Sequence, residues 1–245
     1  MKVCIIPAKF GSSRLPSKNF IEFHNGLNLT EILLMKLKKV KLDWIIVSCE
    51  NQGKLEDLSC FCRLKHIQNV SFHLRDQYLS KDPSTIIDVV NSIIANPDFV
   101  APNEQINKLI VCLPTSPMVK ADDITSVLES LERYNYQRVL SISKNSKPPY
   151  NAWKYSETGQ TLTLAFPESI FATTQSTRCP QTYMSNGAIS GWNLSENKSL
   201  IRSSVIGYEM PAEQAVDIDT VLDFEIAQYI FSKYFPFDEI SYDEE

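Results

Sequence analysis

Ile5-Ile-Pro-Ala-Lys-Phe-Gly-Ser-Ser-Arg-Leu-Pro-Ser-Lys-Asn19 begins inside a short apolar run, Val3 to Ile6, and empties at Pro7 into a loop of small and basic residues. An apolar run of that length, stopped by a proline, reads as a buried strand. The same rhythm continues outward from it. Leu29 to Lys41 carries apolar side chains at helical spacing, and Trp44-Ile-Ile-Val-Ser48 is strand-like. Gln68 to His73 reads as a further strand. Thr85 to Ile94 sets Ile86, Val89, Val90, Ile93 and Ile94 on one helical stripe. Leu109-Ile-Val-Cys-Leu113 is of buried-strand type and ends at Pro114. Asp122 to Tyr134 reads as a helix with two acids at its positive start, and Val139-Leu-Ser-Ile142 as the next strand. Strands alternating with helices imply βαβ units, so the expected fold is α/β, a mostly parallel sheet flanked by helices.

The alternation breaks after Lys144. Lys147-Pro-Pro-Tyr150 interrupts it, Asn151 to Leu164 reads as a hairpin around Glu157-Thr-Gly-Gln160, and 165–187 is irregular. Residues 145–187 are therefore expected to form an excursion that covers a site or a partner subunit. Regularity returns with the strand Ala188 to Trp192 and a closing amphipathic helix, Val221 to Phe231. With no repeat and no flexible linker, residues 1–237 read as one domain, followed by an acidic tail over 238–245.

Composition limits what such a chain does. Of its 245 residues 43% are hydrophobic and 22% charged, with 13 Pro and 7 Gly, which excludes fibrous, low-complexity and disordered classes. No apolar run reaches the ~18 residues that span a bilayer, and the first residues read as a strand, not a signal peptide. The formal net charge is −5, and five negative charges sit at Asp238, Glu239, Asp243, Glu244 and Glu245. Residues 1–237 are thus formally neutral, which argues against a nucleic-acid partner. Cys4, Cys49, Cys60, Cys62, Cys112 and Cys179 are not spaced as a disulfide framework, and Cys60-Phe-Cys62 is too tight for a zinc knuckle. Reduced thiols fit a cytoplasmic location.

Three segments carry chemistry. The first loop concentrates Lys9, Arg14 and Lys18 among small residues at a strand's carboxyl end, where open α/β sheets bind ligands. Its amides could wrap a triphosphate while the cations offset its charge; a solvated basic loop is the alternative. Neither a Walker loop nor Gly-x-Gly-x-x-Gly is present. In Leu113-Pro-Thr-Ser-Pro-Met-Val-Lys120, two prolines stiffen a turn that presents Thr115 and Ser116 at the same sheet edge, or simply make a turn. In Ala215-Val-Asp-Ile-Asp-Thr-Val-Leu-Asp-Phe224, an extended backbone lets Asp217 and Asp219 converge as Mg²⁺ ligands. Asp219 or Thr220 could equally start the last helix, and Asp223 is expected to face solvent and be dispensable. The aromatics Phe224, Tyr229, Phe231, Tyr234, Phe235 and Phe237 read as core and interface. No Ser-His-Asp or Cys-His arrangement stands at a recognisable spacing.

In order, the segments resemble the acylneuraminate cytidylyltransferases. The anchors are Ile6-Pro-Ala-Lys with Ser12, Arg14, Pro16, Lys18 and Asn19; Arg75 with Leu79-Ser-Lys-Asp82; Pro114-Thr-Ser-Pro117; Arg178 through Tyr183 to Asn186-Gly-Ala188; and Asp217-Ile-Asp-Thr220. The resemblance implies a Rossmann-like fold of the nucleotide-diphospho-sugar transferase type. It implies condensation of CTP with a nonulosonic, sialic-acid-like 2-keto sugar acid to CMP-sugar and pyrophosphate, by direct in-line attack on the α-phosphate. Lys9, Ser12, Ser13, Arg14 and Lys18 would hold the phosphates, with Lys18 and Arg14 stabilising charge. Ala8, Arg75, Ser84 and Thr85 would lie near the cytidine. Thr115, Ser116, Arg178, Gln181, Tyr183 and Asn186 would line the sugar side, and Asp217 and Asp219 would ligate Mg²⁺. A homodimer, built through the 145–187 excursion, is implied as well.

The chain departs from that family at informative points. Sialic acid synthetases read Ala-Arg-Gly-Gly-Ser-Lys where this chain has Ala8-Lys-Phe-Gly-Ser-Ser13, so Ser13 replaces a lysine and Phe10 a glycine. Ser12-Ser-Arg-Leu-Pro16 is closer to the 3-deoxy-manno-octulosonate (Kdo) cytidylyltransferases, which lack Pro-Thr-Ser-Pro. Leu113 stands where a glutamine near the sugar is usual, which points to a related acid such as pseudaminic or legionaminic acid. A Kdo-type synthetase and a non-catalytic nucleotide-binding homologue are the other readings.

Overall fold

The computed structural model describes residues 1–96, 105–133, 138–195 and 205–235; Tyr134, Phe237 and the acidic tail lie outside the described residues. The first half runs β1 (Lys2–Pro7), β2 (Glu22–His24), β3 (Leu27–Asn28), α1 (Leu29–Leu37), β4 (Trp44–Cys49), α2 (Gln52–Leu64), β5 (Val70–Leu74), α3 (Ile86–Ile94) and β6 (Lys108–Cys112). The second runs α4 (Ala121–Arg133), β7 (Arg138–Lys144), β8 (Trp153–Tyr155), β9 (Leu162–Leu164), β10 (Tyr183–Asn193), β11 (Val205–Glu209) and α5 (Val221–Tyr234). Seven strands form one sheet in the order β11-β7-β10-β6-β1-β4-β5. Pairing is parallel throughout except at β10, which runs antiparallel to both β6 and β7.

The alternation of β1 divides the core. Cys4 and Ile6 face a large apolar layer made with α1, α2, α4 and α5, through residues such as Leu34, Leu58, Val127 and Phe231. Val3 and Ile5 face the other way, onto Val89, Val90 and Ile93 of α3 and onto Trp192. Two-sided burial is what a continuous apolar strand at the sheet centre requires. Where β10 crosses α4, a side chain at Gly191 would place its Cβ 2.9 Å from Leu131 Cδ1, so glycine lets the two elements approach without moving that leucine.

The strand-helix alternation expected from the sequence is present, with differences. α2 was not foreseen, because only Leu55, Leu58, Phe61 and Cys62 of its thirteen residues are buried and polar residues dominate the rest. β11 was likewise missed. β10 starts at Tyr183, five residues before the expected Ala188, inside the stretch read as irregular. The hairpin stands as expected in β8 and β9, with Gly159 at φ +69° in its turn. Of the C-terminal aromatics, Phe224, Phe231 and Phe235 are buried, whereas Tyr229 and Tyr234 are exposed.

Asp223 does more than face solvent. Thr220, not Asp219, is the N-cap of α5, and Asp223 closes the capping box by accepting from the Thr220 amide at 2.8 Å. The same carboxylate oxygen accepts the Thr220 hydroxyl at 2.8 Å and the Asp219 amide at 3.1 Å. Asp223→Ala is therefore expected to lower stability by about 1 kcal/mol, the usual worth of such a cap. A thermal melt checks it: an unchanged transition would mean that water replaces the carboxylate without loss.

Candidate active site

The loop after β1 owes its shape to local bonds. The Ala8 amide donates to the Ser48 carbonyl of β4 at 2.9 Å, and the Ser12 and Ser17 amides both donate to the Phe10 carbonyl. Ser17 turns the chain at φ 56°, and Asn19 Nδ2 donates to the Lys9 carbonyl at 2.8 Å. Phe10, the residue that displaces a glycine, packs on Phe20 with ring centroids 5.9 Å apart and so anchors the loop to the core.

The acidic segment before α5 lies against this loop. Lys18 Nζ donates to the Ile218 carbonyl at 2.6 Å and to Asp219 Oδ1 at 2.9 Å; Arg14 reaches the same oxygen at 2.8 Å. Ile218 is fully buried, and its amide donates to the Thr115 carbonyl at 2.9 Å, which ties the segment to the Pro-Thr-Ser-Pro turn. That turn is held from beneath by Lys36, whose ammonium donates to the Pro117 carbonyl. Three segments spread over two hundred positions are thus joined by hydrogen bonds at one sheet edge.

Between them opens a cavity of about 290 Å³. Lys9, Ser12, Ser13, Arg14 and Lys18 line it from the loop, Arg75, Ser84 and Thr85 from the β5 side, and Thr115, Asp217 and Asp219 from the far wall. Pro7, Leu15, Asn19, Leu79, Ser80, Lys81, Asp82, Ile86, Val89, Leu113 and Pro114 complete the lining. Of these, Leu113 was singled out by its own character; Asn19 and Leu79 to Asp82 appeared as part of matching runs, and Ile86 and Val89 on a helical stripe. Five cationic side chains face three carboxylates, a balance that favours an anionic ligand.

Other expected positions lie off this wall. Ala8 is fully buried under the loop. Ser116 is 3% exposed, and its hydroxyl finds no partner in the structure. Asn186 is engaged by the sheet: its Oδ1 accepts from the Ser141 hydroxyl, and its Nδ2 donates to Ser143 Oγ at 2.9 Å. Gln181 Nε2 donates to the Asn145 and Thr182 carbonyls. Arg178 sits in a single 3₁₀ turn, and Tyr183 is exposed at the start of β10. The loop amides were also expected to wrap a ligand, but those of Phe10 and Gly11 already donate to Glu50 Oε1, at 2.9 and 2.7 Å.

Arg75 is held rigidly. It is 4% exposed, its Nε donates to Ser48 Oγ at 3.1 Å, and Nη2 donates to the Ser48 carbonyl at 2.7 Å. Ser48 Oγ also lies 2.9 Å from His73 Nδ1, in a hydrogen bond whose donor depends on the imidazole tautomer. Burial first, and the Arg75 cation second, hold the His73 imidazole below its ordinary range. The sign follows: the unfolded chain takes up a proton near pH ~6.5 that the folded one resists, so stability falls as pH drops below that value. His73→Asn is expected to lose less melting temperature than the wild type between about pH 7.5 and about pH 5.5. Equal losses in the two proteins would remove His73 as the cause.

The open, mostly parallel sheet, with a crevice at the strands' carboxyl ends, defines an α/β protein with a Rossmann-like fold. A family model described as "Cytidylyltransferase" matches residues 3–236, and the chain belongs to that family. N-acylneuraminate cytidylyltransferase of Streptococcus agalactiae serotype V is 24% identical over 95% of this chain, which spans 54% of that relative's length. Pseudaminic acid cytidylyltransferase of Campylobacter jejuni serotype O:2 is 25% identical, with 94% of this chain and 95% of the relative covered. Among solved structures, a CMP-2-keto-3-deoxy-manno-octonic acid synthetase complexed with CTP superposes with a TM-score of 0.64 at 11% identity, covering 95% of this chain and 99% of that one. A 4-diphosphocytidyl-2C-methyl-D-erythritol synthase from Anaerococcus prevotii gives 0.62 at 12%, covering 95% and 96%.

Proposed function

We propose that this chain transfers the cytidylyl group of CTP to a nonulosonic acid, a nine-carbon 2-keto sugar acid of the sialic-acid type. The observation that carries the reading is the junction of Lys18 with Ile218 and Asp219 at the mouth of the cavity. It sets a basic loop and two carboxylates around a space fit for a triphosphate. The anomeric hydroxyl of the sugar acid attacks the α-phosphorus: a new P–O bond forms, the hydroxyl proton passes to water, and the bond to the β-phosphate oxygen breaks to release pyrophosphate. Negative charge spreads over the phosphate oxygens in such a transition state, so fixed cations lower the barrier. Lys18 and Arg14 supply them here. Neither a nucleophilic side chain nor a covalent intermediate is required.

Asp217 and Asp219 are the residues that would hold Mg²⁺. Two carboxylates with an open side suit an ion that keeps waters and takes its remaining oxygens from phosphate. When bound, the ion neutralises phosphate charge and strengthens the leaving group. Asp219 Oδ1 is shared by Lys18 and Arg14. A triphosphate offers both cations another anion and frees that oxygen.

Leu113 supports a sugar other than N-acetylneuraminate. It lines the cavity, and its Cδ1 lies 3.7 Å from where a side chain at Gly187 would begin, beside the strand that carries Asn186. An apolar group there favours a substrate with fewer hydroxyls to satisfy, such as pseudaminic or legionaminic acid. The likeness to the Campylobacter relative over nearly its full length agrees. A Kdo-type acid is the second reading, supported by the Ser12-Ser-Arg-Leu-Pro16 loop. Trp153, Tyr155, Leu162, Phe166, Ile170 and Met184 expose large apolar surface between 145 and 187, which supports a homodimer built through that excursion. The free cysteines suit a cytoplasmic setting.

Mg²⁺-dependent pyrophosphate release from CTP, measured with a panel of keto-sugar acids and followed by the mass of the CMP-sugar, tests the reading. Best turnover on N-acetylneuraminate would overturn the choice of sugar. CTP binding without turnover on any acid would overturn catalysis.

A further inference from the structure

Glu50 stands just past the end of β4, forty residues from the loop it touches. Its Oε1 accepts from two successive loop amides, Phe10 N–H at 2.9 Å and Gly11 N–H at 2.7 Å. Two adjacent amides turned toward one oxygen form a small anion-binding nest, and in this chain the anion is its own carboxylate. A Cβ on Gly11 would lie 3.4 Å from the same oxygen, so the carboxylate is seated closely against a residue without a side chain. The other oxygen, Oε2, is buried with no hydrogen-bond partner. The same strand end serves the rest of the crevice: the Ser48 carbonyl accepts both the Ala8 amide and Arg75 Nη2. Burial pulls the Arg75 guanidinium below its ordinary range, and the Glu50 carboxylate is the largest influence opposing that pull.

We infer that Glu50 is a positioning residue for nucleotide binding: it occupies the Phe10 and Gly11 amides of the loop as an internal anion and holds the Ser12–Lys18 stretch in its binding shape. The inference rests on the reading of the cavity as a CTP site. Two consequences follow. Phosphate cannot use the Phe10 and Gly11 amides, so it is left to Ser12, Ser13 and the cations of Lys9, Arg14 and Lys18. Glu50 is not among the residues that line the cavity, so its loss is expected to weaken CTP binding through the loop without altering the response to the sugar acid.

The test is calorimetric titration of the full chain with CTP and Mg²⁺, alongside KM for each substrate and a thermal melt. Glu50→Ala is expected to bind CTP about ten-fold more weakly, the usual range for losing bonds to a charged acceptor. Glu50→Gln, whose amide oxygen still accepts both bonds, is expected to stay within about three-fold. Glu50→Asp keeps the charge but lacks a methylene of reach, and is expected to resemble Glu50→Ala. KM for the sugar acid should hold in all three. If Glu50→Ala fails to fold, the Gln and Asp variants carry the comparison at matched melting temperature. Equal CTP affinity in wild type and Glu50→Ala, or Asp outperforming Gln, overturns the assignment. A wild-type chain that binds no CTP removes instead the functional reading beneath it.

Discussion

Lys18→Met is expected to reduce pyrophosphate release by about 10²–10³-fold, the range seen when one donor to a transition-state oxyanion is removed. Lys18 is far more enclosed than Arg14: its side chain keeps 14% of its accessible surface against 64%. An ammonium so enclosed is weakly screened by water, and its effect on a nearby phosphate oxygen is correspondingly large. Lys18 also straps the loop to the Ile218 carbonyl, so the variant loses an orienting contact as well as a charge. Lys18→Arg is not expected to restore activity, because a planar fork cannot reach Ile218 O and Asp219 Oδ1 with the geometry of an ammonium. Arg14→Met, at an exposed position, should do less harm. Steady-state release assays read with thermal melts decide the matter. A rate within ten-fold of wild type in Lys18→Met would make Lys18 a structural strap only.

Asp219→Asn is expected to lower turnover by orders of magnitude while leaving metal-free CTP binding unchanged or tighter. The carboxylate has two duties that oppose each other. In the structure it neutralises Lys18 and Arg14, and in that role it competes with phosphate for them. In the proposed reaction it is a magnesium ligand, and losing a metal carboxylate removes transition-state stabilisation more than ground-state binding. The split between kcat and affinity is the signature. Asp217 lines the same cavity but takes part in no ion pair among the described residues. Asp217→Asn is therefore expected to share the loss of turnover without a gain in metal-free CTP affinity. Titration with CTP in chelator, alongside pyrophosphate release, separates the two. Wild-type turnover in either variant would remove the metal assignment.

Much of this was legible before any fold was seen, and for a local reason. Apolar runs of strand length ending at Pro7 and Pro114 announce their own burial, and the helical stripes of α3 and α4 repeat at a period no strand can use. The basic loop, the Pro-Thr-Ser-Pro turn and the Asp-x-Asp pair each carry their chemistry in a few adjacent residues. Elements whose identity depends on distant neighbours stayed hidden. α2 buries too few residues to show a stripe, and β11 alternates so that only its pairing with β7 marks it as a strand. Asp223 looked dispensable because a cap is a matter of which amide lies above it.

Backbone preference and hydrophobic period, properties of neighbours along the chain, were enough to specify strand, helix and the kinds of groups that would meet a ligand. Contact across the chain settled the remainder. Nothing near Asn186 foretells that its amide is taken up by Ser141 and Ser143, and nothing near Glu50 foretells that it fills the nest of a loop forty positions away. The first joins neighbouring strands and the second joins the chain just beyond the ends of two others, and a buried polar atom takes whichever partner the packing delivers.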